Sequence, residues 1–270
     1  MSHEPTIAVQ DVQIRRWTDG QVVEVADRVA VEAPLEIRLD GAGVTVLMRT
    51  PGHDEEMVAG FLITEGIVQD RGDVVAMMRP EGLTGDERGN VIDVHLKPGR
   101  GRRPPERLFY ASSSCGVCGK SSIAQLGVIS PRVDHRVAVR HDVLRYLPAA
   151  LRSNQPTFDA TGGLHGAALT DTEGVVMAAR EDIGRHNAVD KLVGWAQGAG
   201  DPLPSRVLVV SGRVGFEIVQ KAIAVGIPIV AAVGAPSSAA IDLAERFGVT
   251  LVGFIRGDAM NVYTSPERVL

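Results

Sequence analysis

The chain has 270 residues, 44% of them hydrophobic and 23% charged, with a formal net charge of -5; this is a globular composition with core enough for one large domain or two ordinary ones. The acid excess disfavours diffuse binding to nucleic acid or to an acidic membrane surface, and the longest apolar stretch, residues 227–233, is far short of a membrane span. Met1-Ser2-His3-Glu4-Pro5 lacks the basic and apolar regions of a signal peptide, so a cytoplasmic location is expected, where thiols are normally kept reduced.

The first hundred residues read as strand-rich. Residues 22–25, 35–39 and 44–48 have β-like patterns, and 54–66 read as a helix with Met57, Phe61 and Leu62 on one face. Residues 74–78 and 91–96 are further strands, separated by a Gly/Asp/Arg turn region. Gly99-Arg100-Gly101-Arg102-Arg103-Pro104-Pro105 is a basic, kinked connector, read as a solvated loop. A cysteine-bearing loop follows, then a short helix over 122–127. These features divide the chain into a strand-rich N-terminal subdomain with one helix (1–105), a cysteine loop and connector (106–140), and a third part (141–270).

The third part is α/β. Residues 143–152 read as helical. Residues 167–169 and 175–178 form a hairpin about Asp171-Thr172-Glu173-Gly174. A helix over 187–196 precedes a buried-type strand at 207–210, a helix at 216–225, a strand at 227–233, a helix at 239–247 and a strand at 250–255. This alternation predicts a layered sheet with parallel neighbours and crossover helices. No internal repeat or low-complexity segment is evident.

Cys115-Gly116-Val117-Cys118 holds both cysteines of the chain, between Ser112-Ser113-Ser114 and Gly119-Lys120-Ser121-Ser122. A structural zinc site needs two further ligands and finds no other cysteine. A cysteine-ligated iron–sulfur cluster needs four thiolates and is excluded within one chain. Haem attachment needs His at 119, which is Gly. Three readings stay open: a redox or sulfur-carrying pair, half of a shared metal site, or a disulfide clip.

Several loops at strand ends of the third part are polar and glycine-rich: Thr161-Gly162-Gly163-Leu164-His165-Gly166, Glu181-Asp182-Ile183-Gly184-Arg185-His186-Asn187, Ser211-Gly212-Arg213, Gly234-Ala235-Pro236-Ser237 and Phe254-Ile255-Arg256-Gly257-Asp258. Open α/β sheets bind ligands beyond the carboxyl ends of their strands, and helix N-termini there favour anions. Arg185, Arg213 and Arg256 are candidates for charge-assisted bonds to phosphate. The competing reading makes each of them an ion-pair partner of Glu181, Asp182 or Glu217. None of these loops matches Walker A or Gly-x-Gly-x-x-Gly. His165 and His186 are either pocket residues or satisfied structural histidines.

Ser114-Cys115-Gly116-Val117-Cys118-Gly119, Thr161-Gly162-Gly163-Leu164-His165, the run Glu181 to Lys191, Ser211-Gly212-Arg213, and Gly253-Phe254 with Val262-Tyr263-Thr264 recur in a fixed order. In these the chain resembles the FdhD family of formate dehydrogenase accessory sulfurtransferases over nearly its whole length. Gly215 and Gly234 depart from the family pattern, each standing where serine is usual.

The resemblance implies a carrier that accepts persulfide sulfur from a cysteine desulfurase. It passes the sulfur to the molybdenum of a bis-molybdopterin guanine dinucleotide cofactor bound for formate dehydrogenase. It implies a cytidine-deaminase-like fold for the second half, and a homodimer. Cys115 and Cys118 become the catalytic pair: Cys118 is placed to attack a Cys115 persulfide, and Lys120 with the following helix start could lower the thiol pKa. Phe254, Ile255, Arg256, Gly257, Asp258, Ala259, Ser211, Gly212, Arg213, His165, Arg185 and His186 become the cofactor-binding set, reading a GDP-like guanine nucleotide. A zinc deaminase is the rival on such a fold, but Arg185 to Asp190 lacks a Glu two residues after the His, and Ser211 to Gly215 lacks cysteine; no zinc is expected. A cofactor-binding chaperone without sulfur transfer is the alternative function. A thioredoxin-like oxidoreductase lacks the strand that would lead into a helix at the cysteines.

Overall fold

The computed structural model describes residues 8–101, 132–133 and 137–270. Cys115, Cys118 and the helix expected over 122–127 lie outside the described residues.

The chain opens with a two-stranded antiparallel ribbon, β1 (Val9–Thr18) and β2 (Gln21–Ala30). A second hairpin follows, β3 (Ala33–Leu39) and β4 (Ala42–Arg49). Both turn at an Asp-Gly pair, Asp19-Gly20 and Asp40-Gly41, with positive φ at all four residues. That geometry matches the right-handed twist of the flanking strands and needs residues that tolerate the left-handed region. Helix α1 (Asp54–Thr64) leads to β5 (Val74–Met78) and β6 (Val91–Leu96). The four strands form one sheet in the order β4-β3-β6-β5, in which only the β3–β6 pair is parallel.

The second sheet has six strands in the order β12-β11-β10-β9-β7-β8. β7 (His165–Thr170) and β8 (Val176–Asp182) are the expected hairpin. β9 (Val207–Val210), β10 (Ile229–Ala232) and β11 (Thr250–Arg256) run parallel. β12 (Ala259–Thr264) turns back along β11. Every residue of β9 and β10 is buried, as central parallel strands covered on both faces require. The helical stretch expected over 143–152 is two short helices, α2 (His141–Leu144) and α3 (Leu147–Arg152). Pro148 explains the break: its ring excludes a helical carbonyl at Leu144, where α2 stops. A further short helix, α4 (Pro156–Thr161), precedes β7. Helices α5 (Arg185–Ala199), α6 (Phe216–Ala224) and α7 (Ser238–Phe247) follow β8, β9 and β10. None of the described helices is long and apolar enough to cross a membrane.

One face of the six-stranded sheet packs Leu144, Leu147 and Leu151 on Val207, Val209, Ile229, Ala231 and Val252. The other face belongs to a larger cluster that joins α5 and α6 to α1 and to Leu35, Ile37, Ile92 and Val94 of the four-stranded sheet. Helix α1 is buried on nearly all sides, so its sequence is apolar all round rather than striped.

Two glycines bring α1 against α5. A Cβ on Gly60 would stand 1.9 Å from the carbonyl oxygen of Asp190, and one on Gly194 would stand 1.9 Å from that of Glu56. Around this contact the two halves are tied by ions. Lys191 pairs with Asp182 at 2.7 Å, both fully buried, and donates to the carbonyls of Thr50 and Glu181. Lys221 reaches Asp190 at 2.9 Å, Glu65 at 3.2 Å and the Thr64 hydroxyl at 2.9 Å. Arg180 grips Glu56 at 2.6 Å. Burial holds the Asp190 carboxyl up at about 6, against the pull of Lys221 and Thr64.

Candidate functional site

The carboxyl ends of β8, β9, β10 and β11 and the amino end of β7 lie along one edge of the six-stranded sheet, as the strand directions require. All five polar loops singled out in the sequence meet there. Hydrogen bonds stitch them together beyond the strands. Ser211 exchanges two bonds with Gly166: its N–H donates to the Gly166 carbonyl, and its hydroxyl accepts from the Gly166 N–H, both at 2.9 Å. The N–H of Gly234 donates to Gly212 O, that of Val214 to Ala235 O, and that of Phe254 to Gly234 O. Val214 and Pro236 form a parallel bridge in the loops themselves.

Gly234 makes this stitching possible. A Cβ there would lie 2.5 Å from Gly212 O and 2.8 Å from Arg213 N, so its backbone approaches its neighbour more closely than any side chain allows. Gly215 plays a different part, because a Cβ there would meet the Glu217 carboxylate at 2.2 Å. Glu217 folds back over the start of α6 into the space the glycine leaves.

The candidate residues separate by what holds them. Arg185 is engaged: its guanidinium sits 2.6 Å from Glu217, a buried carboxylate. Arg213 and Arg256 are exposed and form no ion pair among the described residues. Arg256 lies over the ring of Phe254 at 5.8 Å. Phe254 is 38% exposed and has φ of 54°, a left-handed conformation that is rare for a bulky aromatic. It occupies an irregularity in the β11–β12 register between Gly253 and Arg256. Ile255 points the other way and is 1% exposed within the core, so only its backbone faces the edge. Gly257 and Asp258 form the β11–β12 turn, Asp258 pairs with Arg145 at 2.8 Å, and Ala259 is exposed where β12 begins.

Between α3, α4 and this edge lies a cleft of about 450 Å³, whose walls include Arg152, Gln155, Phe158, His165, Ser211 and Gly212. The His165 ring rests on Gly212, whose Cα leaves it room: a Cβ there would be 3.1 Å from Nδ1. Burial, then the charges of Arg185 and Arg213, push the His165 pKa down. His186, on the first turn of α5, is outside the cleft walls. Burial together with Lys221 and Arg185 lowers it to about 4. Both rings are neutral at pH 7.

The run from Glu181 to Lys191 turns out to be the bracket of this edge. Glu181 accepts from the N–H groups of Thr157 and Phe158 and so caps α4. Asp182 accepts from Gly184 N–H, from the Asn187 amide and from Thr50 N–H. Asn187 reaches the Met48 carbonyl.

A model of the FdhD/NarQ family matches residues 30–270. The chain is 50% identical over 270 residues to the sulfur carrier protein FdhD of Mycobacterium tuberculosis, covering 95% of this chain and 97% of that one. It is 48% identical over 266 residues to that of Streptomyces coelicolor, covering 95% and 94%.

The chain belongs to the FdhD/NarQ family.

Its fold is also that of a crystal structure assigned as a formate dehydrogenase accessory protein from Desulfotalea psychrophila. The TM-score is 0.79 with 24% identity over 98% of this chain and all of that one. The mixed α/β architecture expected from the sequence is therefore present. Within this family member, Gln155 and Phe158 are cleft residues that the sequence reading did not single out. They sit outside any motif, on a helix too short to show a period, and the one local signal is the Pro156 that starts it.

Proposed function

We propose that this chain carries sulfur as a persulfide from a cysteine desulfurase to a bis-molybdopterin guanine dinucleotide cofactor destined for formate dehydrogenase. The observation that carries the proposal is the pairing of Cys115-Gly116-Val117-Cys118 with membership of a family whose relatives are named sulfur carriers. In the proposed cycle the Cys115 thiolate accepts a sulfur atom from the desulfurase persulfide. The Cys118 thiolate then attacks the inner sulfur of Cys115, the sulfur–sulfur bond breaks, and hydrosulfide leaves toward the cargo. The product is a Cys115–Cys118 disulfide, which a cellular thiol reduces for the next round.

The carboxyl edge supports a role in holding the cargo. Arg213 and Arg256 have no ionic partner among the described residues, and the helices α6 and α7 begin beside them, directly after the loops of this edge. Phe254 offers an aromatic surface beside Arg256. This edge fits a guanine nucleotide, with the arginines on its phosphates. Two copies related by a two-fold axis present two such edges to a ligand with two guanine arms, so the working form is a homodimer.

Mass spectrometry after incubation with a desulfurase and cysteine tests the reading. One added sulfur atom is expected on Cys115, and none on a folded Cys115→Ala variant, which should not activate the dehydrogenase. Full activation by that variant would leave a chaperone that only holds the cofactor. Calorimetry with GDP tests the edge: Arg256→Ala should weaken binding by roughly 1.5–3 kcal/mol if its bond is charge-assisted. Light scattering over a tenfold concentration range tests the dimer, and a constant monomer mass with GDP present refutes it.

A further inference from the structure

The N-terminal ribbon has an edge that the chain leaves open. β1 and β2 form a two-stranded sheet of their own, and β1 has no second neighbour among the described residues. The ribbon touches the rest of the chain mainly through β2 and α4. Its ten pairs run without a register shift, and β1 contains no proline, glycine or lysine. An edge this long and regular lacks most of the devices by which proteins stop strands from adding to one another. A lone two-stranded hairpin is also marginally stable in water.

The phase of the ladder fixes which groups face outward. The two-residue turn at Asp19-Gly20 makes Thr18 and Gln21 a hydrogen-bonded pair, and every second residue of β1 then bonds to β2. The N–H of Val31 donates to the carbonyl of Ala8 at 2.9 Å, in the same phase. Val9, Asp11, Gln13, Arg15 and Trp17 therefore turn their N–H and C=O groups to the open edge. Their side chains share one face of the ribbon, on which Asp11 lies opposite Arg28 and Arg15 opposite Glu24. The half-buried Val12, Ile14 and Val25 lie on the other face. Trp17, near the tip, is 75% exposed, so the largest apolar side chain of the ribbon is left in water.

We propose that β1 pairs with β1 of a second copy, antiparallel about a two-fold axis at Gln13, so that the two ribbons make one four-stranded sheet in the order β2-β1-β1-β2. The charges select this register. It sets Asp11 opposite Arg15 of the second copy, and Arg15 opposite its Asp11. With the pairs already present in each ribbon, one face then carries two rows of alternating charge, each running Glu24, Arg15, Asp11, Arg28. Opposite charges set directly across a ladder stabilise it, and like charges do the reverse. The same register sets Val12 opposite Ile14 and Trp17 opposite Val9, apolar on apolar. An axis at Asp11 or at Arg15 would oppose like charges, and one at Val12 or Ile14 would leave Asp11 and Arg15 without charged partners. All the outward-facing residues meet in hydrogen-bonded pairs, so the join adds roughly ten ladder bonds. The proposal rests on the homodimer reading above and gives it an interface; it calls on none of the cargo loops.

The test uses the full chain and light scattering over a tenfold range of concentration. Wild type should dimerise, and Gln13→Pro should raise the dissociation constant by at least about tenfold. The N–H that this proline removes faces the open edge, so the ribbon keeps its own ladder. A second set of variants reads the register by mild oxidation and peptide mass spectrometry, which also tells new crosslinks from any at Cys115 or Cys118. Residues in a hydrogen-bonded pair have Cα atoms about 5.5 Å apart, within the span of a disulfide. Gln13→Cys should crosslink to itself across the axis. Asp11→Cys and Arg15→Cys should each stay uncrosslinked alone at these positions and join when the two proteins are mixed. A thermal melt of each variant checks that it is folded. A dimer that a folded Gln13→Pro leaves unchanged overturns the proposal while the homodimer stands, and so does a crosslink pattern of any other register. A wild type that stays monomeric at every concentration overturns both.

Discussion

Replacing Gly60 by alanine places a Cβ 1.9 Å from the carbonyl oxygen of Asp190, whereas real Cβ contacts essentially never fall below 3.0 Å. The obstacle is helix backbone, which cannot rotate away, so α1 and α5 must part by about 1 Å. Gaps of that size forfeit a quarter to a half of each contact's dispersion energy, and they stretch the bond of Thr64 to Asp190, now 2.8 Å. Overpacking of this kind costs about 3 kcal/mol or more. The helix propensity of alanine returns about 1 kcal/mol. The expected net loss is at least about 2 kcal/mol, read as a fall in the urea midpoint at unchanged slope. Gly194→Ala should behave alike, since its Cβ meets Glu56 O at the same distance. Gly198, on the same helix with nothing within 4 Å, is the internal control: its alanine variant should gain about 0.5–1 kcal/mol. Equal stability of Gly60→Ala and Gly198→Ala would refute the close approach of the two helices.

Lys191→Met removes one member of a fully buried pair and leaves Asp182 charged in the interior; a loss of about 3–5 kcal/mol is expected, measured by chemical denaturation at pH 7. The acid side tests His186. Its folded pKa of about 4 lies below the ordinary 6.5, so the unfolded chain takes the proton first and stability falls as pH drops from about 6.5 to about 4. The full shift corresponds to at most about 3 kcal/mol, less for the ring's partial exposure. Urea midpoints of wild type and His186→Gln at about pH 7.5, 5.5 and 4.5 should show wild type losing stability relative to the variant as the pH falls; a constant difference between the two proteins would show that His186 is not held neutral.

Much of the fold could be read from pattern. The strands at Val74–Met78, Val91–Leu96 and Val207–Val210 stand where alternation or an unbroken apolar run placed them, because burial is what both patterns record. Strand β1 escaped the reading, since most of its residues are exposed and Val12 and Ile14 are separated from the core. The Asp19-Gly20 pair was the available signal. Strand β12 was hidden behind the Gly257-Asp258 turn. The loops that gather at one edge were legible because strand direction alone fixes where their ends go. Pairing was less so: Asp182 finds Thr50 across 132 residues of sequence, and Arg185 finds Glu217 across 32, one of the three carboxylates that the sequence offered it. No local pattern encodes such choices.

The partners also explain how the edge divides its labour. Asp182, Asn187 and Lys191 bind backbone of the first half through Met48 and Thr50, Ser211 binds Gly166, and Arg185 is spent on Glu217. These contacts hold the loops in place. Arg213, Arg256, His165 and Gln155 lie on the same loops or beside them and lack hydrogen-bonded or ionic partners among the described residues. A site built this way is preorganised: the satisfied groups fix the geometry, so little ordering cost falls on binding. It follows that substitutions in the two sets should separate in experiment. Changes to Asp182 or Lys191 lower stability, and binding falls only as the fold is lost. Changes to Arg213 or Arg256 lower binding in a protein that melts as before.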